Sequence, residues 1–381
     1  MPVSLPYVVM VLFYAALAFV AHYKSDETIR LRIDGICILV FLFFFGLRGF
    51  VGYDWSSYYP EFTHSPELSY LFATPLRFWR WEPGYTIFFV IFHSICPSWP
   101  AFVLTFAVID IILLVRFFRK FSISLPLGLM VFMAMYGTSM VIDTMRNSVS
   151  ILLFANALPY LIERKPLPYF LLCLLGASFH ASGLLYLPLY FFLHRKINKW
   201  VLLGLFFAAC VVYVFKIPVV KSTVSLIAGI ISPSFKQKID EYLTFDVGGA
   251  ILSIGFLERL FSGIMTFLFI DRLRDVRKGN DVFINSLFLL LILNMTLSEF
   301  RTISMRISGL FAFSYWIIWP DLIQCFRYRG NKVLYVIFLF AYSILKVSTT
   351  GSMLKYENVL FPHMNYNERL IYFSRHFYDD K

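Results

Sequence analysis

The sequence predicts an all-α, polytopic transmembrane helix bundle, with about ten full spans plus short re-entrant or broken helices. Two observations carry this. First, 59% of the 381 residues are apolar and 15% charged, with a mean hydropathy of +0.71. Water-soluble domains run near ~45–50% apolar and ~25% charged, so no soluble core of this length absorbs the excess. Second, ten segments approach the ~20 apolar residues that a helix rising ~1.5 Å per residue needs to cross ~30 Å of hydrocarbon. They are residues 5–20, 33–50, 101–118, 125–142, 147–162, 200–215, 251–270, 282–298, 303–319 and 333–348. Collagen, coiled coil, disulfide scaffold and soluble enzyme are excluded by the same composition.

Residues 5–20 have no basic stretch ahead of them and are followed by many runs of their kind, so they read as a first span and not a cleaved signal. Basic loops orient the rest. Residues 24–32, 116–120, 164–165, 195–199, 272–278 and 327–332 hold 18 of the 34 Lys and Arg, and short loops of this kind gather on the cytoplasmic side. Both termini then lie outside. Residues 85–96, reaching only ~18 Å, enter and leave by the outer face as a re-entrant or interfacial helix. Residues 167–194 are flanked by basic residues at both ends and form a hairpin of two short helices, turning around His180, Ala181, Ser182 and Gly183. A broken helix is tolerated at membrane depth only where it is buried in protein or lines a wet cavity.

Without repeat or low-complexity tract, the chain reads as a single integral membrane domain, 1–381. Three longer segments lie outside: a first outer (periplasmic) loop at 52–84, a second at 216–250, and an outer C-terminal tail at 349–381.

The five cysteines, Cys37, Cys96, Cys173, Cys210 and Cys325, sit singly in or beside apolar runs. None has the spacing of a zinc or redox site, so no metal and no cofactor is expected. The net charge of +11 is accounted for by topology-setting loops and leaves no nucleic-acid footprint.

Three of the seven Trp lie in the first outer loop, beside Asp54 and Glu82. Trp55, Tyr58, Trp81 and Tyr85 form either an interfacial aromatic belt or a carbohydrate platform, in which flat rings cover the apolar faces of sugars. Asp54 and Glu82 are the natural general-base candidates there. Arg146 opens a span, where the helix dipole favours anions and opposes a guanidinium. An arginine at that place makes better sense if it and the helix end both grip a phosphate, whose oxygens its fork meets bidentately. His180 lies inside an apolar hairpin, where ionisable groups default to function; it would donate to a pyrophosphate or take a proton. Glu258 and Arg259 are adjacent on a helix and do not face each other, so each needs a partner elsewhere. With Arg48 and Arg306, these residues give the outer half of the membrane a set of anion-binding groups.

The order Arg48-x-x-x-Gly52-x-Asp54-x-x-x-Tyr58, Glu82-Pro83-Gly84-Tyr85, Met145-Arg146, Phe179-His180, Glu258-Arg259 and Arg306 resembles the EpsG-like family of bacterial polysaccharide polymerases, similar in role to Wzy O-antigen polymerases. The resemblance covers approximately residues 31–366. It implies a fold resembling GT-C-type membrane glycosyltransferases and an enzyme of the inner membrane that works at its outer face. Such an enzyme moves a growing glycan from undecaprenyl diphosphate to the sugar end of an incoming lipid-linked repeat unit, building O-antigen, capsule or exopolysaccharide. The donor and acceptor oligosaccharides on that carrier and the lipid bilayer are the implied partners, with a chain-length regulator as a further candidate.

Position by position, the family's motifs fall on Arg48, Asp54, Glu82, Arg146 and His180. Asp54, Glu82 and His180 are the catalytic candidates, Arg48, Arg146, Arg259 and Arg306 the diphosphate-binding ones, and Trp55, Tyr58, Trp81 and Tyr85 the glycan-binding ones. The family often has Gln where this chain has Asn147. The tail motif Phe361-Pro-His-Met-Asn-Tyr366 matches the family's ending only loosely and is assigned no role. Competing readings are a transporter or flippase of lipid-linked oligosaccharides, a membrane-bound acyltransferase, and a glycan ligase that differs only in its acceptor.

Overall fold

The computed structural model describes residues 3–23, 26–219, 221–223, 253–349, 351 and 354–379. The body of the second outer loop expected at 216–250, and the start of the span expected at 251–270, lie outside the described residues. Among the described residues the chain is helical without a β-strand, and one isolated bridge pairs Arg48 with Asn358. It divides into two compact units, residues 1–191 with 326–381 and residues 192–325, and each is described by itself.

The first unit holds α1 (Leu5–Tyr23), α2 (Glu27–Phe41), α3 (Trp55–Thr63), α4 (Pro83–Ile95), α5 (Trp99–Phe121), α6 (Leu125–Phe132), α7 (Thr138–Asp143), α8 (Met145–Ile162) and α9 (Pro166–Phe179). Its centre is α8. Every residue at 148–158 is buried, as expected of a helix that is apolar on all sides. Two of its polar groups bond to α5: Ser148 donates to Asp110 at 3.0 Å, and Asn156 to the Leu113 carbonyl at 3.0 Å. Burying these groups is tolerable because each has a partner.

Helix α2 ends in a widened turn, Leu42–Gly46, and α6 in another, Met133–Gly137. In the second, Tyr136 has φ 67°, a left-handed conformation uncommon for a bulky residue. Thr138 repairs the ladder by donating to the Met133 carbonyl at 2.8 Å. The expected break after α9 is present. The chain turns at His180, whose backbone is extended, and continues as a tighter helix over Ala181–Phe191. Nested pairs define an antiparallel hairpin: Arg164 donates to the Tyr190 carbonyl and Tyr169 to that of Tyr186, both at 2.6 Å. At its tip a Cβ on Gly183 would run into the Ala177 backbone, so the approach requires glycine.

The second unit holds α10 (Lys199–Val214), α11 (Ile254–Leu268), α12 (Ile270–Val276), α13 (Asp281–Thr296), α14 (Arg301–Gly309) and α15 (Phe313–Cys325). The single span expected at 303–319 is two helices, α14 and α15. Ser304 and Ser308 on α14 both bond to Asn294 of α13, through its carbonyl at 2.7 Å and its amide at 2.9 Å. The basic stretch 272–278 is tied to acids, Arg274 to Asp281 at 2.9 Å and Arg277 to Asp321 at 2.6 Å.

In the first unit the chain closes with α16 (Arg329–Ser348) and α17 (Tyr366–Asp379). Among the described residues, four helical stretches are long and apolar enough to cross a membrane: Leu5–Tyr23, Trp99–Phe121, Leu125–Asp143 and Arg329–Ser348. Other expected spans fall on shorter apolar helices, such as α10 and α13 at 16 residues each.

Candidate functional site

The geometry around Arg146 begins with the Glu82-Pro83-Gly84 sequence. Proline suits the first turn of α4, where its missing N–H would have had no intrahelical partner. A Cβ on Gly84 would strike the backbone and side chain of Ser178, so glycine lets the start of α4 reach the end of α9. Glu82 is thereby placed between two donors. One carboxylate oxygen accepts from the Ala181 backbone N–H at 2.9 Å, and the other from Nη1 of Arg146 in an ion pair.

Arg146 sits in the first turn of α8 and is 9% exposed. Its Nε donates to the Tyr58 hydroxyl at 3.1 Å. The guanidinium carbon lies 4.0 Å from the Trp81 ring centroid, 5.3 Å from that of Tyr85 and 5.7 Å from that of Tyr58. A desolvated cation–π contact of this kind contributes up to ~2 kcal/mol. Trp81 is itself pinned, since its Nε1 donates to Glu61, which also pairs with Arg80. Nη2 of Arg146 meets no hydrogen-bond acceptor among the described residues. Burial pushes the Tyr58 phenol up, with Arg146 opposing, so it stays protonated at neutral pH. Having accepted from Arg146, Tyr58 keeps its own O–H to donate.

His180 joins the same cluster from the hairpin. Its Nδ1 accepts the Ser182 backbone N–H at 3.2 Å and lies 2.8 Å from the Ser182 hydroxyl. That hydroxyl also bonds to Asn147 at 2.8 Å. The His180 ring is thus tied through Ser182 to the residue that follows Arg146.

Four separated stretches, at 58–61, 80–85, 146–147 and 180–182, therefore meet at one arginine. Every one of them lies within residues 32–364, which match the EpsG family. The chain belongs to the EpsG family. No curated protein and no solved structure matches it. EpsG-family proteins are polysaccharide polymerase-like, and this one is a helical membrane protein with a glycosyltransferase-like role in polysaccharide biosynthesis.

Other expected site residues of this EpsG-family chain lie elsewhere. Arg48 is 4% exposed, and its guanidinium donates to the carbonyls of Phe45 and, at 3.0 Å, Val141. It closes the end of the widened turn after α2, where carbonyls lack intrahelical donors. No contact joins it to Arg146 among the described residues.

Asp54 stands just ahead of α3, without a side-chain capping bond, in a loop organised by Asp143, which accepts the Tyr53 N–H at 2.6 Å. Gly52 makes this loop possible: its φ is +88°, and a Cβ there would fall on the Asp143 carboxylate. The Gly-x-Asp motif is thus bound to the residue three before Arg146.

Trp55, Tyr58 and Tyr85 are all buried, at 4%, 6% and 1% exposure. The expected open platform is not formed by these three rings, because each is packed into one aromatic core with Phe62, Phe89 and Trp99. Trp81 is half-buried over Arg146.

In the second unit, Glu258 accepts from the Tyr315 hydroxyl of α15. Arg259 lies against Gly255, and its buried Nε meets no acceptor among the described residues. Arg306 is exposed.

Glu61, Asn147 and Ser182 were not among the expected site residues. A signal existed for Glu61: it stands three residues after Tyr58 on α3, a spacing that shares one helix face. Asn147 follows Arg146 directly, and its amide serves the hairpin through Ser182.

Proposed function

We propose that this protein is a membrane glycosyltransferase that polymerises undecaprenyl diphosphate-linked repeat units at the outer face of the bacterial inner membrane. About ten spans, the outer loops at 52–84 and 216–250, an outer tail and a GT-C-like bundle belong to the same reading. The observation that carries it is Arg146: a buried guanidinium at a helix N-terminus, held by Glu82 and three rings, with Nη2 unspent among the described residues. Helix N-termini and arginine forks both favour phosphate oxygens.

In the reaction proposed, a hydroxyl of the incoming unit attacks the anomeric carbon of the growing glycan. The new C–O bond forms as the bond from that carbon to the carrier diphosphate breaks, and the hydroxyl proton passes to a base. Undecaprenyl diphosphate leaves with the bonding electron pair, so the site must stabilise developing negative charge more than protonate an oxygen. Arg146 and the Tyr58 hydroxyl supply that stabilisation, with the His180 ring beside them. Both Glu82 oxygens already accept hydrogen bonds, which makes Glu82 a positioning residue. Asp54, at the head of the helix that carries Tyr58, is the base in this reading. Arg259, with its buried Nε unspent, is proposed as a phosphate ligand within its own unit, and Arg306 as a weaker one.

The test is the glycan size distribution of a deletion strain. Loss of long chains, with single lipid-linked units still reaching the outer leaflet, is the expected result. Accumulation of those units on the inner leaflet would instead favour a flippase.

A further inference from the structure

Tyr58 and Tyr59 are consecutive on α3 and therefore point about 100° apart. Tyr58 meets Arg146, whereas Tyr59 lines a cavity of about 620 Å³ in the same unit. This volume falls within the ~300–1,000 Å³ range of small-molecule clefts. The walls come from α3, the turn between α4 and α5, and the tail at 359–366, the stretch whose motif the sequence left without a role. Tyr59 and Tyr366 stack with centroids 4.6 Å apart, and Trp99 stands edge-on to Tyr59 at 5.6 Å. His93, His363 and Asn365 add hydrogen-bonding groups to the same walls. Trp99 is 8% exposed, and its indole N–H meets no acceptor among the described residues.

The chemistry of this lining selects among ligands. A diphosphate needs unspent positive charge, but Arg48, the permanent cation among the described lining residues, is committed to backbone carbonyls. A metal ion needs three or more ligands from His, Cys, Asp or Glu drawn together, and no such group occurs among the described residues. An acyl chain has no use for two imidazoles, an amide and an indole N–H. A sugar uses both kinds of group, its C–H faces on the rings and its hydroxyls on the polar edges.

We propose that this cavity binds a sugar ring of the acceptor glycan, separately from the diphosphate held at Arg146. The proposal rests on the polymerase reading above, and the tail motif then belongs to substrate binding.

The full-length protein, reconstituted with lipid-linked units from the deletion strain, gives the test. The competitor is the same repeat-unit oligosaccharide released from its lipid by mild acid, which lacks both carrier and diphosphate. It is expected to inhibit chain growth by the wild type. His363→Ala, at an exposed position, and Trp99→Phe, which keeps a ring and loses the N–H, are each expected to raise the half-inhibitory concentration about tenfold. Inhibition by added undecaprenyl diphosphate is expected to stay unchanged in both variants.

Equal inhibition of variants and wild type by the oligosaccharide would overturn the proposal. So would an oligosaccharide without effect on an active wild type, or a parallel loss of undecaprenyl diphosphate inhibition. Absence of any polymer from the wild type would remove the polymerase reading itself, a different outcome.

Discussion

Arg146→Ala is expected to reduce polymer output at least about 100-fold, the scale on which removing one preorganised donor to a developing anion acts. Single repeat units should remain on their carrier, visible as the lowest rung of a glycan gel normalised to the membrane level of the protein. The loss follows from what Arg146 alone combines. It is the cation at the first turn of α8, and its position is fixed by an ion pair, a hydroxyl and three ring faces. Arg146→Lys is expected to fall nearly as far, because an ammonium cannot hold Glu82 with one nitrogen and present a second, coplanar one to phosphate. A variant within about threefold of wild type would mean that the diphosphate is held elsewhere.

Glu82→Ala carries the second large effect, on stability as well as activity. It leaves the Arg146 guanidinium without its counter-charge in a site where the arginine side chain is 11% exposed and Glu82 itself 21% exposed. Removing one partner of a buried pair costs ~3–5 kcal/mol, and the partial exposure places this one near the lower end. The Ala181 N–H also loses its acceptor, loosening the turn that carries His180. Glu82→Gln also removes the counter-charge but keeps an amide oxygen for one of the two donors, so it should cost less than Glu82→Ala, about 2 kcal/mol. Thermal unfolding in detergent measures both. If Glu82 holds Arg146 in place, activity falls in step with stability, and Glu82→Gln retains a measurable fraction. A Glu82→Gln protein of wild-type stability and no activity would identify Glu82 as the base instead.

The helical hairpin at 166–191 was legible because basic residues flank it at both ends, which assigns both ends to one side of the membrane and makes the chain between them turn back. The chemistry-bearing residues were legible by type: a carboxylate, an arginine and a histidine in apolar surroundings demand partners, and the structure brings Glu82, Arg146 and His180 into one cluster. Who pairs with whom was not, because the partners stand 64 and 99 residues apart in the chain. Arg48 looked like the other arginines. Its actual use depends on carbonyls left over by the widened turn at Leu42–Gly46, a backbone event with no side-chain signature.

The rings of the first outer loop illustrate the same limit. Composition shows that Trp55 and Tyr58 are amphipathic, but burial or openness depends on what α4, α5 and α17 place over them. The tail motif at 361–366 could not be read at all, since its meaning lies in the cavity it closes against Tyr59 and Trp99. The division of 303–319 into α14 and α15 was hidden because no proline interrupts that run before Pro320.

The decisive measurement places the purified protein in liposomes with undecaprenyl diphosphate-linked repeat units and no other enzyme. A polymerase yields a ladder of lengthening glycans with release of one undecaprenyl diphosphate for each unit added, and no ladder is expected with Arg146→Ala. Passage of intact units across the bilayer without any lengthening would contradict polymerisation.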